Sequence, residues 1–519
     1  MTQGKQSIWQ RSTTVRLVRW LFSKRVLKFV SKVLVIGIPM VAAYYAQEDL
    51  LGYWAWKSYL SHGGIAPDQL DLRSYIPKSV PDEENFATTP VVKKWFATKW
   101  ENQPWRSDHF SKAPSLLVQE IKDVEKKKSL RHLDLAGWHH GLVKESSIET
   151  RPLSRQQHAA AILAMLQDDE EMIQSVRAAS VRAKSIYPIN YNLDDPWQIL
   201  LPHLSNIEQL GIRLNLRACA ELAVHDSNKA FNDVLLTLYL ADSLTNDSFI
   251  ISYLIRARCV HAAVQPIWEG LAEHRWSDRQ LQEFETRLLR FNFVSELERP
   301  LKMERAVGVL TIDLTRRRGV TYLARTAFNE PTEFDGFIGK AMDRALPAGW
   351  FAREKVSYCR LWNTLFADAF DSATGTISPT EAGANQEAFN RDVHYGKRGL
   401  IGIVLHHQIV ARMFLPALPK CIFRAAIAQT AADQAALACA LERFHLANKR
   451  FPPDLQSLVP RWIPTIPHGV IKASDYRYRA VDSDHFILYS VAWDAKDDGG
   501  TPGELLFSRE GDWVWTNAD

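Results

Sequence analysis

The sequence predicts a mainly α-helical protein with an N-terminal transmembrane helix, an irregular α-helical body and a small α+β domain at the C-terminus. Three observations carry this. One is a single apolar stretch behind a basic arm. Another is helical periodicity across 113–420. The third is a change to alternating residues and turns after 421. The expected division is a basic tail at 1–26, a span at 27–46, a connector at 47–112, a helical domain at 113–420 and the α+β domain at 421–519.

At 519 residues, 46% hydrophobic and 24% charged, the chain has the composition of folded domains with real cores. The net charge of +4 is uneven. Lys5, Arg11, Arg16, Arg19, Lys24, Arg25, Lys28 and Lys32 precede the first acidic residue, Glu48. Set those eight aside from the 63 basic residues, and the 59 acidic ones are in slight excess. That balance supplies no basic face to the body, so a nucleic-acid partner is not expected.

Residues 27–46, LKFVSKVLVIGIPMVAAYYA, have the length of a helix crossing about 30 Å of hydrocarbon. Lys28 and Lys32 can snorkel to headgroups at one end. Tyr44, Tyr45, Tyr53, Trp54 and Trp56 supply an aromatic belt at the other, and Pro39 is tolerated in a span. The positive flank places the N-terminus in the cytoplasm and the bulk outside. The lipid bilayer is thus the first expected partner. The alternative is a cleaved signal peptide ending near Val41-Ala42-Ala43, but its basic region is unusually long. Val15, Val18, Phe22, Val26 and Phe29 also form a stripe that suits an interfacial helix.

Pro67, Pro77, Pro81 and Pro90 punctuate the connector. In the body, Phe231, Val234, Leu235, Leu238 and Leu244 mark one helix face, and Ser277 to Gln280 has capping-box spacing. A helix through Leu214–Ala223, a turn at His225-Asp226-Ser227 and a helix from Asn228 resemble a tetratricopeptide hairpin, without a firm 34-residue period. Clusters of Pro and Gly at 328–350, and of Ser, Thr, Gly and Asn at 371–398, predict loops. Cys219, Cys259, Cys359, Cys421 and Cys439 lack CxxC spacing and read as buried thiols, with a disulfide as the alternative.

The C-terminal part reads as an Ala-rich helix over 421–447, stopped by Asn448 in a left-handed conformation. A turn at Pro452-Pro453-Asp454 leads to a helical turn through Leu458. Tyr476, Tyr478 and Ala480 then alternate, and a turn at 482–484 and the run His485–Val491 complete a hairpin. Asp494, Asp497, Asp498, Gly499 and Gly500 form an acidic loop before Gly511-Asp512-Trp513-Val514-Trp515. This order resembles the globular domain of the major pseudopilins of type II secretion systems, over about 85 residues. The resemblance implies calcium on the acidic loop, with Asp494, Asp497 and Asp498 as ligands; carboxylate oxygens on a flexible loop suit that ion. The pseudopilin leader is missing, so pilus assembly is not implied. The whole chain also resembles uncharacterised bacterial membrane-anchored proteins in Val80–Phe86, Gly349-Trp350 and the late Leu488–Val491 and Gly511–Trp515 segments. These bacterial resemblances imply an inner-membrane protein with its bulk in the periplasm.

No motif for hydrolysis, nucleotide or dinucleotide binding stands in a fitting context, and no resident cofactor is expected apart from calcium. His139-His140 and His406-His407 are adjacent pairs whose side chains diverge by about 100° on a helix, a poor chelate. Glu296, Glu298, Arg299, Glu304 and Arg305 suit intrahelical ion pairs, Glu298 with Lys302 among them. Arg316-Arg317-Arg318 is a short basic run that suits a solvated face. The leading expectation is a non-catalytic, membrane-tethered interaction or scaffold protein of the bacterial envelope, with an envelope protein as partner. The alternatives are an envelope hydrolase with a site assembled from the helical body, and a secretion-system accessory.

Overall fold

A computed structural model of the chain describes residues 20, 23–63, 65–96, 130–142, 153–191, 194–323, 346–393, 406–472 and 474–517. Most of the basic arm, and most of the predicted break at 328–350, lie outside these residues. The described chain is mainly helical, with small antiparallel sheets. It divides into two units: 1–66 with 309–359 and 399–410, and 67–308 with 360–398 and 411–519. Residues 421–519 fall in the second unit, together with much of the helical body.

In the first unit, α1 (Lys24–His62) is 39 residues long, about 58 Å at 1.5 Å per residue. Ser23 caps it by accepting from Val26 N at 3.3 Å. The helix does not stop at residue 46, the end of the apolar stretch, but continues to His62, with Gly52 and Tyr59 buried seven residues apart on one face. It is long and apolar enough to cross a membrane, and none of its apolar window is buried. Val35 and Met40 are 72% and 68% exposed. Beyond the apolar stretch, Glu48 pairs with Arg353 at 2.8 Å, and Asp49 accepts from Gly349 N at 2.6 Å. Gly52 and Gly349 let two backbones meet: a Cβ on Gly52 would lie 2.2 Å from Gly349 O.

The second unit is built on helical hairpins. α2 (Leu135–Leu142), α3 (Arg155–Met165) and α4 (Glu170–Ala179) precede the long α5 (Pro202–Ala223). Leu135, Trp138, Ile162, Leu166, Leu216 and Ala220 form one apolar cluster. α6 (Ser227–Ser243) starts where expected, with Asp226 accepting from Lys229 N at 3.1 Å and His225 turning the chain at φ 67°. α7 (Ile250–Ala272) and α8 (Asp278–Leu288) follow, and the predicted capping box of Ser277 with Gln280 is present. Gly270 lacks the Cβ that would strike Trp276, whose indole donates to Ile267 O at 3.0 Å.

α9 (Glu298–Arg318) and α10 (Ala348–Phe366) come next. The stretch 371–398 is not a loop in its described part. It holds a hairpin of β1 (Phe370–Asp371) and β2 (Thr376–Ile377), then α11 (Pro379–Val393). Ser378 accepts from Glu381 N at 3.3 Å, and Pro379 opens the helix, so a start signal overrides the polar composition.

α12 (Lys420–Asn448) is buried on nearly every side, which its many alanines permit. Lys449, at φ 56°, takes the left-handed stop expected of Asn448, while the Asn448 amide donates to Phe444 O at 2.8 Å and remains in the helix. The hairpin forms as β3 (Arg477–Ala480) against β4 (Phe486–Val491), and β5 (Asp512–Thr516) completes an antiparallel sheet of order β3-β4-β5. Tyr478 faces Leu488, and Leu488 faces Trp515. Side chains fasten sheet to helices: Tyr476 OH donates to Asp433 at 2.7 Å, Gln434 to Trp513 O at 2.7 Å and Trp268 to Thr516 O at 2.7 Å. All five cysteines are buried and none forms a disulfide, as the thiol reading expects.

Candidate functional site

A cavity of about 370 Å³ lies in the second unit. α5 lines it with Gly211, Ile212 and Asn215, α7 with Cys259, His261, Ala262 and Gln265, and α12 with Phe423, Ile427, Ala431 and Gln434. Leu505, Leu506, Phe507, Val514 and Trp515 contribute from the C-terminal end. Small residues, Gly211, Ala262 and Ala431, stand in its helical walls. Most of the lining is apolar, with polar groups spaced through it, the composition of small-molecule sites. The exposed Arg258 and Arg424 mark its solvent side, and Arg258 pairs with Glu208. Phe507 meets the His261 ring edge-on at 5.6 Å. Burial pushes the Cys259 thiol up to about 12, so it is no thiolate nucleophile at neutral pH.

The predicted pair His139-His140 acquires a third partner. His158, on α3, brings its Nδ1 to 2.9 Å from His139 Nδ1, and ligand atoms of all three lie within 4.8 Å of one another. Residues His139 and His140 do diverge along α2, but a facing helix closes the chelate. Three imidazoles with no carboxylate among them suit zinc or another borderline metal. Sequence spacing cannot reveal a ligand contributed by a second helix across a loop.

The other predicted residues scatter. Asp494 and Asp497 accept from backbone amides two residues on, Lys496 N at 3.2 Å and Gly499 N at 3.1 Å, and Asp497 pairs with Arg477. The loop closes on a residue outside the predicted set: buried Asp512 accepts from Asp498 N at 3.1 Å and Gly500 N at 2.7 Å. Its carboxyl is raised by burial. Glu298 pairs with Lys302 at 2.5 Å, as its spacing predicts, while Glu296 goes to Arg256 and Arg305 to Gln69 at 2.9 Å. Burial pushes Glu304 up to about 7. In the first unit, His407 is buried 3.7 Å from Glu48, and burial drives it down to about 4. Arg316, Arg317 and Arg318 are exposed in the last turn of α9, where cations interact favourably with the negative end of the helix dipole.

A second concentration of charge is buried between α4, α5 and α6. Arg217 reaches Glu170 at 2.6 Å, Asp233 at 2.7 Å and Glu221 at 3.3 Å, and Arg177 reaches Asp233 at 2.5 Å. Burial raises both Glu221 and Asp233. Every carboxylate here faces a guanidinium, the arrangement of a structural network.

Comparison of the chain with protein-family models, curated proteins and solved structures finds no match in any of the three.

Proposed function

We propose that this is a membrane-tethered, non-catalytic binding protein of the bacterial cell envelope, and that its cavity takes the apolar part of a small amphipathic molecule. The cavity carries this reading: about 370 Å³ of mostly apolar space with arginines on the solvent side. Apolar groups would leave water there, and an anionic end would meet Arg258 and Arg424. The lining thiol is held protonated, which favours binding over nucleophilic chemistry. The exposed apolar face of α1 supports insertion in lipid, with the basic arm held on the cytoplasmic side. A long helix followed by an antiparallel sheet supports the pseudopilin-like reading of the C-terminal part, and with it a role beside a protein partner in the envelope. Calcium on the acidic loop belongs to the same reading, and requires Asp494, Asp497 and Asp498 to turn towards one ion.

The experiment is native mass spectrometry of the full chain purified from its own membranes, with organic extraction of whatever is bound. The expected result is a stoichiometric amphipathic ligand, displaced in Ala262→Trp, which fills the cavity. Wild-type protein carrying no ligand, or a ligand retained in the Trp variant, would overturn the reading. The three-histidine cluster favours a second reading, a metal-dependent envelope hydrolase. Activity on ester or amide substrates that requires zinc and is lost in His158→Ala would establish it.

A further inference from the structure

We infer that His274, Glu442 and His445 form a divalent transition-metal site, with zinc as the first expectation, that clamps the end of α7 and the end of α12 to the β3–β4 turn. Glu442 and His445 are three residues apart on α12, which sets both on one face. His274 lies just beyond the end of α7 at φ 51°, a left-handed position that costs a non-glycine residue about 1 kcal/mol or more. From there its Nδ1 reaches Glu442 Oε1 at 2.7 Å. His445 Nδ1 lies 4.0 Å from Glu442 Oε2. Ligand atoms of the three lie within 4.8 Å of one another. Ligands about 2.1 Å from zinc at tetrahedral angles stand about 3.4 Å apart, so small adjustments suffice.

An ion pair between His274 and Glu442 explains only the first distance. It leaves out His445, which is buried and whose Nδ1 makes no hydrogen bond among the described residues. The opposite nitrogen of that ring, Nε2, faces Asp484 Oδ1 at 3.3 Å. Donation of Nε2–H to this carboxylate leaves the lone pair on Nδ1, facing Glu442. A histidine that gives its far N–H to a carboxylate and aims its near lone pair at a shared centre has the outer-shell arrangement of metal-binding imidazoles. Phe451 stacks on His445 at 4.6 Å and His274 stacks at 5.3 Å, which fixes the ring plane. The metal would take the place of the proton shared by His274 and Glu442, so uptake releases a proton to solvent. Glu442 and Asp484 together would balance its charge.

The test is zinc titration of the chelator-stripped full chain in detergent, by calorimetry, for wild type and His274→Ala. The site predicts one fewer zinc equivalent in the variant, whose exposed side chain can be removed without opening a core. Cobalt should give wild type a tetrahedral visible absorption that is weaker in the variant. Circular dichroism checks that the variant is folded. If it is not, Asp484→Asn replaces it, with an expected affinity loss of about tenfold or more. Equal zinc stoichiometry in wild type and a folded His274→Ala, or unchanged affinity in Asp484→Asn, would overturn the assignment.

Discussion

The substitution Asp433→Asn should remove a defined share of the pH dependence of stability. Asp433 is buried in α12 at the junction with the sheet, where Oδ2 accepts from Tyr476 OH at 2.7 Å and Oδ1 accepts from Gln429 Nε2 at 2.9 Å. Burial raises its carboxyl from 3.8 to about 7 against these two hydrogen bonds. An acid raised on folding binds more protons folded than unfolded across that window. Stability therefore falls as pH rises from about 4 to about 7, and is level outside it. At 1.36 kcal/mol per unit, the loss between pH 5 and 7.5 comes to about 2.5 kcal/mol from this one group. The amide cannot ionise; it keeps the shape and forfeits one hydrogen bond, about 1 kcal/mol at every pH. The assay is urea unfolding of the full chain in detergent at both pH values, followed by tryptophan fluorescence. Other buried acids cancel in the difference between wild type and variant. That difference should shift by about 2.5 kcal/mol in favour of the variant at the higher pH. A constant difference would show that Asp433 is already ionised when folded, and would refute the reasoning.

Arg217→Met should destabilise the second unit by about 3 kcal/mol, because buried Glu221 then loses its guanidinium and buried Asp233 keeps only Arg177; the same urea assay measures it, and a loss under about 1 kcal/mol would contradict the network. Gly349→Ala should loosen the part of α1 beyond the span, since its Cβ would lie 2.0 Å from Glu48 O, backbone that cannot swing aside. Faster limited proteolysis within 48–62 is the expected readout, and wild-type rates would count against that packing.

The features legible in the sequence are those set by local rules. A membrane-length apolar run, the Ser277 capping box, the turn before α6 and the hairpin around 482–484 depend on neighbours within a few residues. The stop after α12 falls one residue later than the sequence suggests, because Asn and Lys both reach the left-handed region when a helix ends, and propensity favours Asn. The helix at 379–393 is hidden by its Ser, Thr, Gly and Asn content, although Ser378-Pro379 carries the start signal. Candidate site residues are legible only in part. His139 and His140 stand out as a pair, but His158 joins them through packing. Glu442 and His445 have the spacing of a chelate on one helix face, a readable signal that the surrounding alanines obscure. The cavity leaves no local mark, since it is the space that segments far apart in the chain leave between them.

The central claim is that α1 is solvated by lipid, with the basic arm inside and the rest of the protein across the membrane. A C-terminal epitope tag exposed to external protease in intact spheroplasts tests it directly, with an N-terminal tag on the same chain as the internal control. The account predicts that the C-terminal tag is digested while the N-terminal tag survives until the membrane is permeabilised. A protected C-terminal tag would contradict it.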